Sequence, residues 1–301
     1  MPPALIRRFL AVILVATLFA AAGYGQTSSG TAEDEIVLTP ATLTNGSPFL
    51  ITIALPEEAK SVTGKWQGHL ILFFSRKDRE TWFALAGVDV EVAPGNYPLA
   101  VEATLKDGTH RTLQQEVSVG VASYTEVPLS VPDKFVAPDA AALRKIAADK
   151  IVKDKAFGHS DPKQEWSADF LPPLHLAPQS DSFGNRRVFN GKLASVHRGL
   201  DYHAKLGTPV AAINSGRVVL ARPLYFEGGC VVIDHGLGLM SVYMHLSKIE
   251  VAVGARVRRG QKIALSGASG RATGPHLHLG VRWQGSYLDP AKLFEIPMPQ
   301  S

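Results

Sequence analysis

Cysteine is almost absent from this 301-residue chain, in which Cys230 stands alone. No intramolecular disulfide can form, and a structural zinc site built from clustered thiolates is excluded. Any zinc has to be held by histidine and carboxylate. Charge imbalance is also missing: the formal charge of +4 falls to +2 when Arg7 and Arg8 are set aside. Near-neutrality argues against nucleic acid as a partner and against a strong membrane-binding patch. No Rossmann-type or P-loop glycine pattern occurs, so nucleotide binding has no support. Long apolar runs are lacking as well. The run at residues 9–22 is shorter than the roughly 20 residues that span a bilayer.

That run follows Arg7 and Arg8 and ends in Ala20-Ala21-Ala22, the three-part pattern of a secretory signal peptide, here residues 1–25. No cysteine follows it, so lipid attachment at such a residue is not expected. The mature chain is expected to be exported to the periplasm or cell envelope, or secreted. A membrane is a partner only if the leader stays uncleaved, and the sequence sets no oligomeric state.

Beyond the leader the chain reads as mainly β in two domains. In residues 33–125 the stretch 49–55 alternates as a strand does, and 70–74 is a continuous apolar run of the kind covered on both faces. Asp107-Gly108 between 99–105 and 112–119 marks a hairpin. The pattern is that of a small β-sandwich resembling bacterial immunoglobulin-like domains. Residues 126–178 form a linker. Pro128, Pro132 and Pro138 favour an extended spacer, and 139–154 is predicted helical, with Leu143, Ile146, Ala147 and Ile151 as a stripe facing a neighbouring domain. Residues 158–178 read as loop. Residues 179–301 read as an antiparallel β domain, with strands near 216–221, 230–234, 240–245, 262–266 and 276–283. His69, His110, His159 and His175 lie alone and are expected to carry no chemistry, and His235 reads as structural.

The chemistry concentrates in three short segments. In Gly274-Pro275-His276-Leu277-His278-Leu279-Gly280, the strand period puts both imidazoles on one face and both leucines on the other. In His197-Arg198-Gly199-Leu200-Asp201, the even spacing keeps His197 and Asp201 on one side, and Gly199 permits a bend towards a single ion. One histidine of the 276–278 pair completes a three-ligand set and leaves a corner open for water, as in catalytic zinc sites. In Tyr243-Met244-His245-Leu246-Ser247, a regular strand would put Tyr243 and His245 on one face, with His245 free to move protons or stabilise an oxyanion. Tyr243 would then wall the substrate or lie in the core. His203 shares the parity of Asp201 and is a candidate for a second-shell hydrogen bond.

These three segments, in this order, resemble the lysostaphin-type zinc metallopeptidases that cut peptidoglycan peptides. The likeness spans about residues 182–290 and includes Gly207-Thr208-Pro209-Val210, Ile233-Asp234-His235-Gly236 and Gly260-Gln261. Cys230 stands where the family more usually carries asparagine or another residue. The resemblance implies a C-terminal antiparallel β metallopeptidase domain with one zinc ion. It implies His197, Asp201 and His278 as ligands, His245 and His276 as the catalytic pair, and peptidoglycan peptides as substrate. It also carries two alternatives: a non-catalytic activator of a cell-wall amidase, and a secreted protease acting on proteins. A latent form with a fourth ligand from 158–190 would draw on Asn185.

Overall fold

The computed structural model describes residues 35–55, 57–75, 80–174, 177–191 and 193–299. The leader and His175 lie outside them. Residues 35–120 build two sheets. One joins Glu35–Thr39, Pro48–Ala54, Thr81–Gly87 and Phe74–Ser75; the other joins Leu43–Thr44, His110–Gly120, Gly95–Leu105, Ala59–Trp66 and His69–Leu72. Phe49 and Trp66 meet edge to face across the sheets at 5.3 Å, and the indole N–H of Trp66 donates to the Gly87 carbonyl at 2.9 Å. The expected hairpin turns at Asp107-Gly108, where Gly108 has φ +94°. The run at 70–74 is not covered on both faces. Its first three residues fall on the edge strand His69–Leu72, where Leu70 is 53% exposed, and Phe74 belongs to the other sheet.

The C-terminal half is organised by an eight-stranded sheet. Its order runs Gln179–Asp181, Leu200–His203, His276–Trp283, Leu239–Leu246, Gly228–Gly236, Gly216–Leu224 and Arg256–Val257, with Ser286–Leu288 paired to His276–Trp283. The glycine and β-branched character of Gly228–Gly236 suits a strand buried along its whole length. Leu277 and Leu279 point into the core with no exposure, leaving the other face of that strand to its histidines.

The stretch expected as a spacer is built into this body. Glu126–Leu129 pairs in parallel with Arg186–Phe189, and Phe135 joins Val131 and Phe189 in an apolar cluster against Tyr225 and Phe226. The predicted helix appears as Ala140–Phe157, with the Asp139 side chain capping the Ala142 N–H at 2.8 Å. It docks by a face other than the expected stripe: Leu143 and Ile151 are exposed, while buried Asp149 accepts the Tyr225 N–H at 2.7 Å and Lys153 pairs with Glu227. Val152, Ala156 and Phe157 lie on the docked side, packed on the cluster of Leu220, Leu224 and Met240. Residues 158–174, expected as loop, do lack regular structure, yet Trp166, Phe170 and Leu174 are buried in the main core.

Sandwich and C-terminal sheet share one continuous hydrophobic cluster. His69, expected to stand alone, packs its ring on Trp283 at 5.4 Å. The Asp289 N–H donates to Gly46 O at 2.8 Å, the Tyr287 N–H to Asp89 at 2.7 Å, and Arg198 pairs with Glu91. Leu288 fills the space a side chain at Gly87 would need, so the two halves approach backbone to side chain at this point.

Candidate metal centre

Two neighbouring strands bring the ligand candidates together. Leu200–His203 pairs antiparallel with His276–Trp283, placing Asp201 opposite His278 and His203 opposite His276. Cross-strand partners share a face, so a carboxylate and an imidazole meet here by register alone. His197 arrives from the preceding turn. Its Nε2 lies 3.1 Å from Asp201 Oδ1 and 3.0 Å from His278 Nδ1, and His278 Nδ1 lies 2.8 Å from the same oxygen. All three residues are buried. Gly199 acts here through space rather than through a special backbone angle: a Cβ on it would stand 2.6 Å from the His278 ring.

The donor chemistry fits a cation. The Nδ1–H of His197 donates to Ser182 O at 2.8 Å, which leaves Nε2 with only a lone pair to offer. That lone pair, a carboxylate oxygen and His278 Nδ1 converge with at most one proton among them, a poor arrangement unless a positive ion lies between. A tetrahedral zinc at about 2.0–2.1 Å from nitrogen and oxygen ligands spaces its donors roughly 3.3 Å apart, close to the separations found here. Burial pushes the Asp201 carboxyl up, but its interactions with His197 and His278 outweigh that and hold the group well below the usual carboxylate range. Burial pushes His278 down to about 4.

The outer oxygen of Asp201 is engaged by Arg187, whose guanidinium also contacts Asp181 Oδ2 through Nε at 2.9 Å and Nη2 at 2.6 Å. Arg187 thus turns Oδ1 towards the two histidines. Nothing in the sequence singled it out, because its strand position depends on pairing with the distant Glu126–Leu129. Asn185, the candidate fourth ligand, is committed elsewhere. Its amide donates to Asp181 at 2.7 Å, and its carbonyl oxygen accepts from the N–H and hydroxyl of Thr125.

His245 and His276 stand beside this cluster with ring centroids 4.6 Å apart, and His245 lies 6.2 Å from His278. Each gives its Nδ1–H to a backbone carbonyl, Ser269 O for His245 and Gly274 O for His276, both at 2.8 Å. Nδ1 is thus committed in each ring, and Nε2 is the atom left for chemistry. Burial, reinforced by the nearby His276 and His278, lowers His245 to about 3, so its ring is neutral at ordinary pH.

Tyr243 and His245 do not share a face. In the pairing of Leu239–Leu246 with Gly228–Gly236, Tyr243 opposes Val231 and Leu246 opposes Gly229, so two residues on one strand face one on the other. His245 carries the irregularity with φ +61°. This β-bulge re-aims its ring, so that Met244 and His245, adjacent in sequence, line the same cleft. Tyr243 points the other way, fully buried, with its hydroxyl accepting the Ile213 N–H at 2.8 Å. It belongs to the core and walls no substrate. His203 is exposed and lines the cleft with Asp201 and His276.

Comparison with known proteins places these residues in context. Peptidase family M23 matches residues 195–290. The peptidoglycan DD-endopeptidase ShyA of Vibrio cholerae is 43% identical over 40% of this chain and 28% of its own. The DD-carboxypeptidase/endopeptidase Mpg of Neisseria gonorrhoeae is 35% identical over 46% of this chain and 31% of its own. The chain thus spans less than a third of the length of these two relatives. A crystal structure from Pseudomonas aeruginosa, assigned to peptidase M23, covers 84% of this chain and 96% of its own at TM-score 0.63 and 27% identity.

Proposed function

Residues 195–290 form a domain of Peptidase family M23, and from that premise we propose that the chain is a zinc-dependent endopeptidase hydrolysing peptide bonds of bacterial peptidoglycan. The observation that carries the reading is the convergence of His197 Nε2, Asp201 Oδ1 and His278 Nδ1 to within 3.1 Å of one another, beside two histidines with free Nε2 atoms. An amidase activator without catalysis has no use for an intact ligand set, and the set is intact here. The leader at 1–25 and the substrate together put the mature chain in the periplasm or cell envelope within this proposal.

In this reading His197, Asp201 and His278 hold the ion. Zinc there supplies Lewis acidity, lowering the pKa of water towards about 7 and polarising the scissile carbonyl. Of His245 and His276, one would accept the proton of the attacking water on Nε2 and deliver it to the leaving amine; the other, carrying a proton on Nε2, would donate it as a hydrogen bond to the oxyanion. Their Nδ1–H bonds to Ser269 and Gly274 fix both rings in the orientation this requires. Arg187 keeps Asp201 oriented throughout.

The test is digestion of purified peptidoglycan by the exported chain, with and without chelator, followed by mass analysis of the fragments. New amino termini that appear only with stoichiometric zinc support the reading. A zinc-loaded protein that leaves every peptide intact overturns it.

A further inference from the structure

Arg271 has no role in the scheme above, although it borders both halves of the cleft. One half, about 610 Å³, contains His245 and His278; the other, about 540 Å³, contains Asp201 and His276. Arg271 lines both. Its loop is tethered where its N–H donates to Phe226 O at 2.8 Å. Its guanidinium lies 4.4 Å over the Phe189 ring and 4.8 Å over the Phe226 ring. Two aromatic faces leave the in-plane N–H groups as the edge available to a ligand.

The charges around it are unbalanced. In the His245 half of the cleft, Lys153 is tied to Glu227, Arg198 to Glu91, and Arg187 to Asp181 and Asp201. Arg186 and Arg271 make no ion pair with any described carboxylate. Arg186 is exposed and solvated, whereas Arg271 is partly buried, and burial together with neighbouring Arg187 lowers its pKa against the opposing pull of Glu227. Glu227, the acidic group near Arg271, is itself paired with Lys153, so the partly buried guanidinium has no described carboxylate in direct contact, and its planar geometry is matched by one.

We propose that Arg271 is a substrate-carboxylate subsite: it binds a free carboxylate borne by the peptide next to the scissile bond and so selects acidic peptides over amidated ones. The inference rests on the peptidase reading for its substrate class, since peptidoglycan stem peptides carry free carboxyl groups. Phe189 and Phe226 hold the guanidinium plane, and the surplus positive charge draws the carboxylate to the His245 side. Arg271 is a binding residue and takes no part in proton transfer.

The experiment uses two synthetic stem peptides of one sequence, one with free carboxylates and one with each as a carboxamide. Zinc-loaded full-length chain and its Arg271→Gln and Arg271→Lys variants are compared in cleavage and in calorimetric binding. The wild type is expected to favour the carboxylate peptide at least tenfold, through KM and Kd rather than kcat. Arg271→Gln should erase the preference while leaving zinc content and Tm unchanged, and Arg271→Lys should restore part of it. Equal treatment of the two peptides by the wild type overturns the proposal, as does equal loss on both in Arg271→Gln. Failure to cleave either peptide defeats the peptidase reading alone, because binding still reports the preference; binding of neither peptide defeats the subsite.

Discussion

At the scale of single residues, the proposed function divides the centre into groups that hold the ion and groups that move protons. His197→Ala or Asp201→Ala leaves a buried donor set incomplete, and loss of bound zinc in metal analysis is the expected result. His245→Ala and His276→Ala should keep zinc and lose turnover by about 10²–10⁴-fold; loss of metal from either would show the assignment to be wrong. Arg187→Gln removes the partner of Asp201's outer oxygen, and zinc affinity should fall about 10–100-fold with the fold retained, as competition with a chelator would show. The ligand types and the two-residue and four-residue spacings were legible because side-chain alternation is a local property. Choosing His278 over His276 was not, and needed the resemblance. Arg187 and Arg271 were illegible for a different reason: an arginine acquires meaning only from what folds around it.

At the scale of elements, His276–Trp283 works because its two faces do opposite jobs. Leu277 and Leu279 anchor it in the core while the histidines face the cleft. Leu279→Ala is expected to destabilise the protein by about 2–5 kcal/mol in urea unfolding, with zinc binding intact in the fraction that remains folded. The neighbouring strand breaks the same rule. Alternation predicted Tyr243 beside His245, and the bulge with left-handed His245 separates them at a local cost of roughly 1–2 kcal/mol. Such a bulge depends on register against Gly228–Gly236, so no property of residues 243–247 alone announces it. The helix Ala140–Phe157 shows the same gap, since its length was readable and its docked face depends on partners far along the chain: Tyr225 for Asp149, Glu227 for Lys153, and the Leu220 cluster for Val152 and Ala156.

At the scale of the whole molecule, both β-rich stretches were visible as patterns of short strands, while their union in one compact unit was not, because its contacts join segments far apart in sequence. With one shared core, sandwich and peptidase domain are expected to unfold in a single calorimetric transition; two resolved transitions would refute that coupling. Acid should weaken the whole unit. Burial lowers His235 to about 4, and the ring is held by Ser215 O at 2.7 Å and Ser241 Oγ at 2.8 Å. The unfolded chain binds this proton below about 6.5 and the folded one does not until about 4. Stability present above pH 6.5 is therefore lost as pH falls through that window, by up to about 1.4 kcal/mol per pH unit from this group. Urea titrations at stepped pH check the slope, and His235→Asn should remove that share of it.

The family match begins at residue 195, yet Ser182, which orients His197, and Arg187, which orients Asp201, both precede it. An excised fragment cut at that boundary would carry every ligand and neither brace. Its histidine would be free to take the wrong tautomer and its aspartate to rotate away. Anyone trimming this chain to a minimal domain should keep the strand Arg186–Phe189, together with Glu126–Leu129, which clasps it in parallel.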